Sequence, residues 1–142
     1  MSNTTFHFFI EEVDFTLQNE KEIASWLTQI AKDENQSISN IEYILCSDDY
    51  LLQINKEHLN HDYYTDIITF PLANDPLEAT IFISVDRIKE NAENFDQTFR
   101  DELHRVIAHG LLHLLGFNDK TEEQAKVMRK MENLVLTQRP FL

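Results

Sequence analysis

Glycine and proline are scarce in this sequence, which has two Gly and three Pro among 142 residues. This scarcity argues against flexible linkers, low-complexity tracts and a loop-rich architecture. The single cysteine, Cys46, excludes an internal disulfide, and we interpret it as a small buried apolar residue in a reducing compartment. No apolar run is long enough to cross a bilayer, and the N-terminus has no secretory signal pattern. We therefore expect a cytoplasmic protein with no membrane partner.

The length and composition predict one folded domain over residues 1–142, because 42% of the residues are hydrophobic and ten are Phe. Segments with alternating apolar residues predict about four β-strands, and segments with helical spacing of apolar residues predict about five helices. Strands with helices before, between and after them indicate an α+β fold, with α/β-like layers and a mixed sheet.

The net charge of −13 disfavours binding to nucleic acid through broad phosphate neutralisation. The charge is unevenly distributed, however. Residues 1–84 hold three Lys or Arg and fifteen Asp or Glu, whereas residues 85–142 hold nine and ten. The acidic excess therefore belongs to the first part of the chain, and the second part is nearly balanced.

Two histidines four residues apart, His109 and His113, lie in a predicted helix near residues 98–115. Residues at this spacing share one face of a helix, so two imidazoles can bind one ion. Gly116 permits the chain to turn back, and Asp119 follows as a candidate third ligand. Two imidazole nitrogens and one carboxylate form an open zinc site that leaves a position for water. The alternative is a hydrogen-bonded histidine pair beneath a core helix.

The spacing H-x-x-x-H-x-x-G-x-x-D also matches that of the metzincin pattern H-E-x-x-H-x-x-G-x-x-H. Here Gly110 replaces the glutamate and Asp119 replaces the last histidine. The glutamate is the general base of those peptidases, so its absence disfavours a peptidase while the three candidate metal ligands remain.

A second candidate functional stretch precedes the predicted strand that begins at Ile67. Its residues His61, Tyr64, Thr65 and Asp66 are candidates for substrate binding, because aromatic rings stack on unpaired RNA bases and polar groups orient a substrate. The alternative is a loop whose tyrosines pack on the sheet.

One carboxylate on the histidine helix is a candidate for orienting an imidazole. Glu102 lies two turns before His109 on the same predicted face. A carboxylate in such a position accepts a hydrogen bond from a metal-binding imidazole and fixes its tautomer. The alternative is an exposed carboxylate in the first turn of the helix.

Three segments resemble the YbeY family of metal-dependent endoribonucleases that act in ribosomal RNA maturation and ribosome quality control. Residues 109–117 (HGLLHLLGF) resemble the family's H-G-x-L-H-L-x-G-Y core. Residues 65–71 (TDIITFP) resemble its T-D-V-L-S-F-P segment, and residues 81–84 (IFIS) its I-x-I-S strand. The resemblance implies one metal ion per chain, Zn²⁺ or another divalent ion such as Ni²⁺. It also implies single-stranded or ribosomal RNA as substrate, and the ribosomal subunit or ribosome-associated proteins as partners.

The sequence departs from the family pattern at three places. Asp119 stands where the family has its third histidine ligand, Leu59 where it has an arginine, and Ala79 with Thr80 where it has Gly-Asp. The sequence identifies no catalytic group beyond a water bound to the metal. Two alternatives therefore stay open: a ribosome- or RNA-associated binding module with a structural metal, and another metallohydrolase such as a peptidase.

Overall fold

The structure is a computed structural model that describes residues 5–141, along which four strands and five helices follow one another. This arrangement confirms the predicted α+β fold. None of these helices combines the length and apolar character that a bilayer span requires. The elements are β1 (Phe6–Glu11), α1 (Glu20–Asp33), β2 (Ile38–Cys46), α2 (Asp48–Leu59), β3 (Ile67–Asn74), β4 (Leu77–Ser84), α3 (Val85–Asn94), α4 (Phe99–Leu114) and α5 (Glu122–Thr137).

The four strands form one mixed sheet in the order β1-β2-β4-β3. β1, β2 and β4 are parallel, whereas β3 pairs antiparallel with β4. The carboxyl ends of the parallel strands meet at one edge of the sheet, where α2 and α3 begin. β3 starts at the same edge, because Ile67 pairs with Ile83 and the Ser84 amide donates to the Asp66 carbonyl. This edge is the usual place for a site in a parallel sheet.

Helix α4 packs across one face of the sheet and supplies much of the core, including Leu103, Ile107 and Leu111. Tyr43 on β2 donates a hydrogen bond to the Ile107 carbonyl at 2.8 Å. At Gly110 a Cβ would lie 3.0 Å from Ile67 Cδ1, so the missing side chain lets the helix approach the sheet closely.

Helix α5 packs against α4 and begins with a capping box formed by Thr121 and Gln124. Its apolar residues Met128 and Val135 are buried in the main core, and Trp26 Nε1 donates to the Val135 carbonyl at 2.8 Å. This packing directs Glu132, which lies on the same buried face as Met128 and Val135, toward the histidine helix.

Helix α2 covers part of the other face of the sheet, where Leu51 packs on Cys46 and Ile68. Cys46 is buried, as expected from the sequence. Burial raises the pKa of its thiol to about 12, with nearby carboxylates adding to the effect, so the thiol is neutral and unreactive at physiological pH.

Candidate active site

His109 is held by a carboxylate from the neighbouring helix. Its Nδ1 donates to Glu132 Oε2 at 2.7 Å, and Glu132 is only 5% exposed. In the neutral imidazole this bond places the proton on Nδ1, so Nε2 keeps its lone pair. Nε2 lies 3.5 Å from Asp119 Oδ2. Carboxylates support metal-binding histidines in this way.

Two arginines balance the charge of Glu132. Arg105 Nη1 lies 3.0 Å from Glu132 Oε1, and Arg129 Nη1 lies 3.6 Å from the same oxygen. Burial raises the pKa of Glu132, but the hydrogen bonds from His109 and Arg105 outweigh it, and the net pKa is lowered. Glu132 is therefore a carboxylate that accepts hydrogen bonds from both sides.

The pKa of His109 responds to opposing influences. Burial lowers it, but the hydrogen bond and charge of Glu132, together with the charges of Asp119 and Asp66, outweigh burial and raise the net value. The surrounding carboxylates therefore concentrate negative charge around His109 and favour the protonated form of its imidazole.

A tight turn after α4 brings Asp119 back toward His109. Gly116 has a φ of 109°, and the Phe117 amide donates to the Leu112 carbonyl at 3.0 Å. The turn also engages His113, whose Nδ1 lies 3.3 Å from the Phe117 carbonyl oxygen. Since a carbonyl only accepts, this contact assigns the proton to Nδ1 and leaves Nε2 of His113 available as a ligand.

The structure brings two of the three candidate ligands together. His109 Nε2 and Asp119 Oδ2 face one another, whereas His113 does not join them in a closed set. Across residues 5–141, no three His, Cys, Asp or Glu side chains are positioned as a ready metal cage. The donor chemistry nevertheless fits a borderline cation such as Zn²⁺, because two imidazoles with free Nε2 atoms and a carboxylate lie on one helix and its following turn.

A cavity of about 240 Å³ opens beside His109. It is lined by residues from four parts of the chain: Asp66, Asn91, Phe95, Glu102, Arg105, Val106, His109, Arg129 and Glu132. Burial raises the pKa of Asp66 despite the opposing charge of His109, and burial raises that of Glu102 despite Arg105. The cavity thus combines guanidinium donors with two carboxyls that hold a proton more readily than solvated ones.

The other candidate residues occupy two different environments. Asp66 lines the cavity with His109, whereas His61 and Tyr64 lie outside its lining, on the exposed loop before β3. Glu102 is buried in the cavity wall, so the alternative of an exposed first-turn carboxylate is wrong. The carboxylate that accepts the hydrogen bond from the His109 imidazole is Glu132, which the sequence reasoning missed.

Gly110 bears on the peptidase alternative. It is buried against Ile67 and Ile81 of the sheet. A glutamate at this position would point into the apolar core, so the helix has no place for the general base of an H-E-x-x-H peptidase.

The fold and site define an α+β protein with a histidine–carboxylate centre beside a polar cavity, an arrangement that suits hydrolytic chemistry. Comparison with known proteins gives the family. The model of a family described as endoribonuclease YbeY matches residues 7–139, which is nearly the whole chain. The chain therefore belongs to the YbeY family.

Individual relatives agree with the family match. The chain is 50% identical to endoribonuclease YbeY of Cytophaga hutchinsonii over 143 residues, covering 99% of this chain and 100% of that protein. It is 45% identical to endoribonuclease YbeY of Bacteroides thetaiotaomicron over 120 residues, covering 84% and 88%. The solution structure of a Thermotoga maritima protein superposes with a TM-score of 0.62 at 29% identity, covering 92% of this chain and 90% of that one.

Proposed function

We propose that the chain is a metal-dependent endoribonuclease that cleaves single-stranded RNA during ribosomal RNA maturation and ribosome quality control in the cytoplasm. The observation that carries the proposal is the partly buried His109, whose Nδ1 is bound by Glu132 and whose Nε2 faces Asp119. The names of the relatives support RNA as substrate. Ribosomal RNA and the ribosomal subunit or its associated proteins are the proposed partners.

The ligands of the proposed metal are His109, His113 and Asp119, with one Zn²⁺ per chain and Ni²⁺ as the alternative ion. Bound there, the ion supplies Lewis acidity toward a phosphoryl oxygen and toward water. The carboxylate of Asp119 gives this centre one more negative charge than three imidazoles would. Glu132 orients His109, and its own charge is balanced by Arg105.

The cavity residues take part by binding the backbone and exchanging protons. Arg105 and Arg129 present guanidinium groups, which suit a phosphodiester. Asp66 and Glu102 have raised pKa values, so either can accept or donate a proton at a substrate hydroxyl nearer neutrality than a solvated carboxyl. The proposed contacts of the RNA strand that leads to this cavity are His61, Tyr64 and Thr65.

The departures from the family pattern are compatible with the proposed RNA cleavage. Leu59 is an exposed residue at the end of α2 and offers no phosphate contact, a role that Arg105 and Arg129 take in this proposal. Ala79 and Thr80 lie within β4 and pair with Ile41 and Glu42 of β2, so their observed role is in the pairing of the sheet.

The test is the metal content of purified wild-type, His113→Ala and Asp119→Ala protein, paired with cleavage of a single-stranded ribosomal RNA fragment. We expect near-stoichiometric metal and metal-dependent cleavage in the wild type, and loss of both in the variants. His7→Ala, on the remote edge strand β1, is the matched control and is expected to keep both.

The outcomes separate the three functions. Metal without RNA cleavage, together with RNA binding that survives His109→Ala, would favour the binding module. Metal-dependent cleavage of peptides but not of RNA would favour the peptidase. Wild-type protein that takes up neither zinc nor nickel would contradict the proposed centre.

A further inference from the structure

The loop at residues 60–66 presents aromatic rings to solvent in an ordered arrangement. Tyr63 is 55% exposed and Tyr64 is 49% exposed. The rings of Tyr63 and His61 are stacked, with centroids 5.1 Å apart and an interplanar angle of 20°, and Tyr63 Oη lies 3.0 Å from His61 Nδ1. The alternative that these tyrosines pack on the sheet is therefore wrong for Tyr63, whose stacking partner is itself exposed.

A buried asparagine holds this pair in place. Asn55 on α2 is only 1% exposed. Its Nδ2 donates to the Tyr63 carbonyl at 2.8 Å, and its own carbonyl accepts from the His61 amide at 3.1 Å. One buried residue thus fixes the backbone at both members of the stacked pair. The rings are ordered before any ligand arrives, which lowers the entropic cost of binding on them.

Tyr64 is anchored separately, on the helix starts at the sheet edge. Its hydroxyl donates to Asp49 Oδ1 at 3.2 Å, and the Arg87 guanidinium lies 5.5 Å from the ring centroid. Arg87 is in turn fixed by Asp48 at 2.7 Å. The hydroxyl of Tyr64 is therefore bonded to Asp49, and Arg87 lies over its ring. Tyr63 is the tyrosine whose ring is presented to solvent.

The stacked pair lies close to the cavity along the chain. Asp66, which lines the cavity with His109, follows Tyr63 by three residues. Three extended residues span at most about 10 Å. The backbone of Tyr63 therefore lies within about 10 Å of the backbone of Asp66. An RNA strand that leaves the cavity along this loop would pass Tyr63.

Charge does not favour this loop as a phosphate-binding surface. The chain carries −13, the loop contains Asp62 and Asp66, and Lys56 on the adjoining helix lies 3.5 Å from Asp62. Phosphate neutralisation therefore contributes little here. Stacking on a ring face needs no positive charge and accepts every base.

We propose that Tyr63, supported by His61 and positioned by Asn55, is a base-stacking subsite for an unpaired nucleotide next to the cleavage position. The inference rests on the proposed endoribonuclease function and adds to it a residue that binds an unpaired base of the RNA strand. Tyr63 recognises the exposed face of a base, so the subsite selects single-stranded over duplex RNA and is tolerant of sequence.

The experiment measures binding of a single-stranded oligoribonucleotide that contains 2-aminopurine, whose fluorescence is quenched by stacking. Tyr63→Ala is expected to weaken binding by about 5- to 150-fold and to abolish the quenching, since a base–aromatic stack is worth roughly 1–3 kcal/mol. Tyr63→Phe keeps the ring and is expected to stay within about twofold of the wild type. Phe9→Ala removes an aromatic of similar exposure, 46%, from the opposite edge strand and is the matched control.

An abasic scan of the oligonucleotide distinguishes stacking from a general effect on the loop. At one position, removing the base is expected to weaken wild-type binding and to add nothing in Tyr63→Ala. Equal losses for single-stranded and duplex RNA, or additive losses at every position, would overturn the subsite and leave Tyr63 a structural loop residue.

Metal content and cleavage by the same variants separate the two proposals. Wild-type protein that cleaves the strand, with Tyr63→Ala binding it equally well, would overturn the subsite alone. Wild-type protein that neither binds nor cleaves RNA in the presence of zinc or nickel would overturn both. Loop binding to a ribosomal protein but not to RNA would also overturn the subsite.

Discussion

Two histidines five residues apart on α4 have opposite environments. His104 is buried between Trp26 and Phe141, with ring centroids 6.0 and 5.3 Å away, and its Nδ1 accepts from Arg139 Nη1 at 2.8 Å. Burial and the charge of Arg139 lower its pKa to about 4. His104 is therefore neutral at physiological pH and serves the core.

His109 faces carboxylates instead of an arginine. Glu132 binds its Nδ1, Asp119 lies near its Nε2, and their charges raise its pKa against the effect of burial. The same residue type on the same helix is thus a packing residue in one place and a candidate ligand in the other. The difference comes from the partners of each ring. His104 contacts Trp26, Phe141 and Arg139, whereas His109 faces Glu132 and Asp119.

The largest expected effect is the loss of metal binding and RNA cleavage when His109 is replaced. His109→Ala is expected to abolish stoichiometric metal and to lower RNA cleavage more than about a hundredfold, because losing a ligand costs more than losing a residue that orients one. His104→Ala is expected to keep its metal. Metal analysis and initial cleavage rates of both variants check this. Stoichiometric metal in His109→Ala would contradict the role of His109 as a ligand.

Weakening the support of His109 is expected to have a smaller effect. Glu132→Gln keeps an acceptor for Nδ1 but loses the charge, and we expect metal affinity to fall by about 10- to 100-fold. Competition with a chelating dye measures it. Glu123→Gln, an exposed residue of the same helix, is the matched control. A Glu132→Gln affinity within twofold of wild type would contradict the role of this carboxylate.

Lowering the pH is expected to reduce folding stability through His104. Between pH 6.5 and about 4 the unfolded chain binds a proton at His104 and the folded chain does not, so folding stability falls as the pH falls through this window. The contribution is roughly 3 kcal/mol. His104→Gln is expected to make the loss of stability between pH 7.5 and 4.5 shallower by that amount in urea unfolding. Parallel curves for the two proteins would show that His104 is not responsible.

The smallest expected effect concerns the turn that returns Asp119. Gly116 has a positive φ and open space around it, so Gly116→Ala strains the backbone without a clash and is expected to cost about 1 kcal/mol of stability. Because the strain displaces Asp119, metal affinity should fall while the pH dependence due to His104 stays unchanged. Thermal unfolding and metal titration check both, and unchanged affinity would mean that Asp119 does not depend on this turn.

Local signals explain why the helix and its turn could be predicted. Thr98 caps α4 by accepting from the Asp101 amide, and Gly116 ends the helical segment, so the expected helix near residues 98–115 agrees with the observed Phe99–Leu114. The proximity of Asp119 to His109 follows from the same short turn. These features depend on neighbours within a few residues.

Glu132 was missed because its role depends on packing between two helices. It lies 23 residues after His109, and only the packing of α5 on α4 brings the two together. A signal was present, since Glu132 occupies the spacing of the buried residues Met128 and Val135. A carboxylate on the apolar face of a helix calls for a buried partner, and the histidine helix supplies it. The place of Asp66 beside His109 likewise follows from the antiparallel pairing of β3, which local sequence does not specify.

The central claim is that His109, His113 and Asp119 together bind one metal ion, and X-ray absorption on the zinc-loaded protein tests it most directly. We predict a shell of nitrogen and oxygen ligands at about 2.0–2.1 Å, with scattering from two imidazoles. The Asp119→Ala spectrum is expected to retain the imidazoles and lose an oxygen ligand. A spectrum with one imidazole or none, or one that Asp119→Ala leaves unchanged, would contradict the account.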